Sequence, residues 1–180
     1  GGVGTLTTTI LFENVLKAMN IQLATDYRGM NEQHNNFDQS IRSFVDRAAS
    51  KAPTPGGGSV AALVGALGSA MISMVANLSL GPKYEKVQSE MNSIVQQMKQ
   101  QIDTFEQLLG QDMASFQAYM VALKLPKETE QQKQIRSDLL REAGVQATEV
   151  PMDMIRQCEK AVVQMVTIVD SSNRNVLSDL

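Results

Sequence analysis

Few side chains in this 180-residue chain can do acid–base or nucleophilic work. A single histidine, His34, and a single cysteine, Cys158, exclude a His-rich or multi-cysteine metal site, limit imidazole catalysis and rule out an internal disulfide. Carboxylates, lysines and hydroxyls remain. Asp112 stands just past Gly110, which reads as the opening of a helix, where an aspartate ordinarily caps backbone N–H groups. Asp179 follows Ser178 in a turn-like stretch and reads as a second cap. Glu149 precedes Pro151, a point where a helix should kink and free backbone groups, although a solvated position is the plainer reading. Lys83, Lys124 and Lys127 are placed to meet an anion, yet lysines near helix ends are usually at the surface. His34 falls in a polar linker and has no evident task.

The backbone offers a further candidate. Pro53-Thr54-Pro55-Gly56-Gly57-Gly58-Ser59 runs directly into the uncharged stretch Val60–Leu80. Two prolines fix φ and remove donors, and three glycines open angles closed to other residues, so the first part predicts a rigid, non-helical turn. The second part predicts a helix about 30 Å long, at ~1.5 Å per residue. Ser59 is placed to cap that helix, and free N–H groups at its start favour an anion. Gly57 and Gly58 let the backbone come close to a ligand. A plain linker ahead of a core helix is the competing reading of the loop alone.

The elements that must position these groups read as helices throughout. Thr5–Ala24 carries Leu6, Ile10, Leu11, Val15, Met19 and Leu23 at helical spacing, and residues 25–36 read as a linker. Phe37–Ser50 predicts a short helix with Ile41, Phe44, Val45 and Ala48 on one face. In the helix after the Pro/Gly turn, Ala62, Ala66 and Ala70 repeat at four, as do Gly65, Ser69 and Ser73, a spacing that lets helices approach closely. Gly81-Pro82 ends it. Lys83–Leu109 shows a near-heptad stripe of Tyr84, Val87, Met91, Ile94, Met98, Ile102, Phe105 and Leu109. Gly110 punctuates, and Asp112–Lys124 reads as a separate helix with Met113, Phe116, Met120 and Leu123 inward. Pro126 suits a fresh helix start. Glu128–Asp170 is a long helical pattern that Pro151 should kink or break. Ser171–Asn175 is a turn, and Val176–Leu180 begins a further element. No strand pattern of useful length is present. The fold class is all-α: one domain over residues 1–180, a helical bundle around a buried central helix at about residues 59–80.

Composition narrows the partners. Lys+Arg is 16 against Asp+Glu 19, and the resulting charge of -3 opposes general nucleic-acid affinity. Aromatics are 4% with no Trp, which leaves little for base stacking. The N-terminus lacks a basic n-region, so no secretory signal is expected. Val60–Leu80, flanked by Lys51 and Lys83, is long enough to span a bilayer, for which about 20 residues suffice. Its Gly65, Gly68, Ser69, Ser73, Asn77 and Ser79 suit the centre of a bundle instead. A cytoplasmic protein with no membrane segment is the expectation.

Taken together, five blocks resemble one family. Pro53-Thr54-Pro55-Gly56-Gly57-Gly58-Ser59-Val60-Ala61-Ala62 closely resembles the signature of the formiminotetrahydrofolate cyclodeaminase / methenyltetrahydrofolate cyclohydrolase family. Met74-Val75-Ala76-Asn77-Leu78 looks like its continuation. Asp112-Met113-Ala114-Ser115-Phe116 with Leu125-Pro126-Lys127, then Ala147-Thr148-Glu149-Val150-Pro151, then Asn173 to Leu180, are similar to later blocks in the family's order. They cover residues 37–180, the family core. Gly2-Val3-Gly4 through Ile21-Gln22-Leu23 looks like the family's last helix, which there follows the Ser-Asp-Leu segment. The resemblance therefore implies a circularly permuted order in which residues 3–24 belong after Leu180, with a natural leader plus a C-terminal truncation as the alternative.

The resemblance implies a folate one-carbon enzyme. Such an enzyme converts 5-formiminotetrahydrofolate to 5,10-methenyltetrahydrofolate and ammonia, or hydrolyses the methenyl bridge. A non-catalytic helical folate-binding or interaction protein of the same fold is the reading from a different class. Cyclodeamination needs N10 to attack the formimino carbon and a proton to reach the departing amine. One positioned carboxyl can supply it where burial lets it hold a proton near neutrality. Motif match places that acid on Asp112. It further implies substrate contacts from Thr54, Gly56, Gly57, Gly58, Ser59 and Asp179. The folate tail's carboxylates would meet Lys124 or Lys127. No metal is needed, and a tetrahydrofolate derivative enters as substrate. A homodimer whose interface helps to complete the pocket is also implied.

Overall fold

The chain's geometry comes from a computed structural model that describes residues 37–180. The helix expected over Thr5–Ala24, the linker over 25–36 with His34, and the permuted placement of residues 3–24 lie outside the described residues.

All regular elements among the described residues are helical. α1 is Ile41–Ala48, α2 Gly57–Asn77, α3 Gln88–Leu123 and α4 Glu130–Ile168, with short 3₁₀ turns at Pro82–Val87 and Arg174–Asp179. Ser40 caps α1, its Oγ accepting from the Ser43 N–H at 3.1 Å. The apolar face expected of α1 is not buried: Phe44 is, but Ile41 is 76% exposed. α2 ends near Asn77, and the chain turns at Gly81, whose φ of 107° suits a residue without Cβ.

Three boundaries differ from the sequence reading. Gly110 does not end a helix, because α3 runs unbroken through it. A single glycine costs only ~1 kcal/mol in a helix, and buried Phe105, Leu108, Leu109 and Ala122 anchor the helix on both sides of it. Pro151 likewise lies inside continuous α4. Buried Ala143, Val150, Met154 and Ala161 hold that helix before and after the lost hydrogen bond. Pro126 does not start α4. Thr129 does, through a capping box in which Gln132 N–H donates to Thr129 Oγ1 at 3.2 Å and Thr129 N–H donates to Gln132 Oε1 at 3.1 Å.

The core forms where α2 meets α3. Gly65 faces Phe105, and one heptad towards the start of α2 Gly58 faces Asp112, one heptad towards the end of α3. The two helices are therefore antiparallel. The same step in the other direction reaches Ile72 and Met98, which share a buried cluster with Val75, Met91, Ile94 and Ile168. Gly65 admits the Phe105 ring: a Cβ there would stand 2.6 Å from two ring carbons. Phe105 is fully buried, and its ring is the group that an added methyl meets. Gly65→Ala is therefore expected to destabilise the fold by about 1–2 kcal/mol. Overpacking of ~1–3 kcal/mol outweighs the ~1 kcal/mol gained in helix propensity. A denaturant midpoint reads this directly.

The central helix is buried along one face only. Ala62, Ala66, Ser69, Ile72, Val75 and Ala76 are buried, whereas Val60, Val64, Leu67 and Met71 form an exposed stripe, with Val64 62% exposed. By length and apolarity α2 is also the one helix among the described residues able to cross a membrane. Its C-terminal end is tied to the last segment. Buried Ser79 donates to Val75 O at 2.8 Å and accepts from the Asn173 N–H at 2.8 Å, while Asn173 Nδ2 donates to Leu78 O at 3.2 Å.

Candidate active site

Asp112 is not a cap. It lies deep within α3, one heptad past Phe105, on the stripe that elsewhere carries the fully buried Met91 and Met98. A carboxylate on a core stripe needs room and a partner, and α2 supplies both. Gly58 gives the room: a Cβ there would stand 2.6 Å from Asp112 Cγ and 2.9 Å from Oδ2, closer still to Oδ1. Ser59 gives the partner, its Oγ donating to Asp112 Oδ2 at 2.7 Å.

The local sequence explains the placement. α2 begins at Gly57, two residues before the expected start, with Gly56 as an extended N-cap that has no capping side chain. Ser59 is therefore inside the first turn and does not cap. Ser69 and Ser79, deeper in the chain, donate to carbonyls four residues back. Ser59 reaches across to α3 instead. The first turn of α2 contains no acidic residue of its own. The carboxyl that meets this helix end is that of Asp112, from α3.

Other candidates are dispersed. Thr54 is half-buried in the loop beside buried Pro55, and Gly56 and Gly57 have no neighbour within 4 Å of a built Cβ among the described residues. Lys124 and Lys127 are exposed at and beyond the end of α3. Lys124 stands about 18 Å along the helix axis from Asp112, at ~1.5 Å per residue, so it is out of reach of the carboxylate itself. Asp179 is exposed, and the cap of the last 3₁₀ turn is Asn173, which accepts from the Asn175 N–H at 3.1 Å. With Gly68, Met71, Phe105, Cys158 and Val162, Asp179 lines a groove of about 290 Å³ that contains neither Asp112 nor the 54–59 loop. Glu149 is solvated and pairs with Arg156 at 3.6 Å. Among the described residues no group of three or more His, Cys, Asp or Glu could hold a metal.

What the arrangement can do is hold one carboxyl at the edge of a core, facing a glycine turn. The family model described as formiminotransferase-cyclodeaminase matches residues 40–180, which contain every member of this cluster. The chain belongs to that family. It is 36% identical over 143 residues to a methenyltetrahydrofolate cyclohydrolase of Methylorubrum extorquens, covering 79% of this chain and 69% of that protein. It is 32% identical over 145 residues to the formimidoyltransferase-cyclodeaminase of Rattus norvegicus, covering 80% of this chain but 27% of that protein. The crystal structure of a formiminotetrahydrofolate cyclodeaminase from Thermotoga maritima superposes with a TM-score of 0.69 at 34% identity. It covers 79% of this chain and 67% of that one. The family's all-α architecture is thus the architecture of residues 37–180.

Proposed function

We propose that this chain acts on a tetrahydrofolate one-carbon derivative, as a formiminotetrahydrofolate cyclodeaminase, with Asp112 as the proton donor. The observation that carries this reading is Asp112 itself. It is a carboxyl on a core stripe, hydrogen-bonded by Ser59 and opposed by a glycine that leaves it room. In the reaction N10 attacks the formimino carbon, the N10–C bond forms, and the bond from that carbon to the terminal nitrogen breaks. That nitrogen leaves as ammonia after taking two protons, one from N10 and one from the acid. The methenyl cation remains. Gly56 and the first helical residues Gly57 and Gly58 supply a wall beside the carboxyl for the pterin ring. Lys124 and Lys127, beyond the end of α3, are placed for the carboxylates of a long folate tail.

The cyclohydrolase reaction is the second reading, favoured by the 36% identity to the Methylorubrum extorquens enzyme. It adds water to the same methenyl carbon, and the same carboxyl serves it. Measuring ammonia released from 5-formiminotetrahydrofolate separates the two. Stoichiometric ammonia supports cyclodeamination. Loss of the methenyl compound without ammonia release supports hydrolysis. Binding with neither reaction leaves a non-catalytic folate-binding protein.

The same reading includes a cytoplasmic homodimer without membrane or nucleic-acid partners. The exposed stripe Val60, Val64, Leu67 and Met71 on α2 supports burial against a second copy. Light scattering after purification without detergent is expected to give twice the chain mass. Recovery only with detergent would favour the membrane instead.

A further inference from the structure

Ser59 has a task that no resemblance of the loop assigns. Its side chain is fully buried, and its hydroxyl donates to Oδ2 of Asp112 at 2.7 Å. A serine in the body of a helix ordinarily turns its hydroxyl back to the carbonyl four residues earlier, as Ser69 does. Ser59 stands in the first turn, where the residue four back, Pro55, precedes the helix, and its hydroxyl bonds across the helix pair. The carboxyl's two oxygens are thereby made unequal. Oδ2 is held by Ser59, whereas among the described residues no hydrogen bond reaches Oδ1. Gly58 packs against the Oδ1 side and sets how far the carboxyl can swing towards α2.

We propose that Ser59 is the positioning residue of the reaction: it pins Oδ2 and leaves Oδ1 to pass the proton to the departing nitrogen. The hydroxyl does not touch substrate; it acts through Asp112. The inference rests on Asp112 being the acid, and the variants separate the two claims. Ser59→Ala removes the donor and is expected to lower kcat by about tenfold or more, the worth of one hydrogen bond to a charged group, with KM changed less than about twofold. Ser59→Thr keeps the hydroxyl and is expected to keep kcat within a few-fold (about threefold) of the parent. In an Asp112→Asn background, Ser59→Ala is expected to add little further loss, because groups acting as a unit are not additive. Circular dichroism and the melting temperature confirm that each variant is folded. An effect of Ser59→Ala confined to KM would make Ser59 a substrate contact and overturn the proposal. So would a full additional loss in the Asp112→Asn background. If Asp112→Asn alone keeps its turnover, the acid assignment fails instead.

Discussion

Asp112→Asn is expected to lower kcat by between about 100- and 10,000-fold while leaving the fold intact. That range is what a positioned general acid contributes. The substitution is nearly isosteric, so the core stripe keeps its shape. The Asn carbonyl oxygen can still accept the Ser59 hydroxyl that now bonds Oδ2. What it cannot do is give up a proton and take it back. The melting temperature should therefore stay close to that of the parent, and substrate affinity should change far less than turnover. Steady-state kinetics beside a thermal melt checks both halves. A destabilised, inactive variant would show instead that Asp112 is a structural polar group in the helix interface.

Gly58→Ala is the second large effect, and its cause is geometric. The added Cβ would stand 2.6 Å from Asp112 Cγ, inside any real van der Waals contact. Helix α2 cannot move to relieve it, since Ser59, Ala62 and Ala66 are buried just behind. The Asp112 side chain yields instead, and the carboxyl leaves its place. A displacement near 1 Å at a reacting group can cost about 100-fold, so a 10- to 100-fold loss of kcat is expected. Overpacking costs about 1–3 kcal/mol of stability in addition. The adjacent glycine is the control. Gly57 has nothing within 4 Å of its built Cβ among the described residues, and its φ is not left-handed. Gly57→Ala is expected to lower kcat far less than Gly58→Ala, any effect falling on KM through the proposed pterin wall, and to shift stability by less than ~1 kcal/mol. Equal losses at the two glycines would mean that loop flexibility, not room for Asp112, is what the turn provides.

Much of the fold follows from spacing that any reader of the chain can see. The 3.6-residue periodicities place α1, α2 and α4 within about four residues of their ends but divide α3 at Gly110, and of the small residues at fours Ala62, Ala66 and Ser69 are buried whereas Ala70 is exposed. The misreadings share one origin: local punctuation was given more weight than packing. Gly110 looks like a helix end and Pro151 like a break, yet each sits in a helix clamped by buried residues on both sides. The error at Gly110 mattered most, because it turned Asp112 into an ordinary cap. The signal that corrects it was present. The stripe Met91, Met98, Phe105 steps by sevens, and the next step is Asp112. Its partner, Gly58, is invisible without the register between α2 and α3, which only tertiary contact reveals. For Ser59, the start of α2 at Gly57, with Gly56 as the N-cap, decides against a helix cap. The exposed side of α2 was also unreadable from composition, since an all-apolar helix has the same sequence whether covered by its own chain or by another.

The central claim is tested most directly by the absorbance of 5,10-methenyltetrahydrofolate with purified protein, followed once from 5-formiminotetrahydrofolate and once from the methenyl compound. A protein-dependent rise from the first or fall from the second, abolished by Asp112→Asn, is the result predicted. No change over the protein-free rate with either substrate, or an undiminished rate in Asp112→Asn, would contradict it.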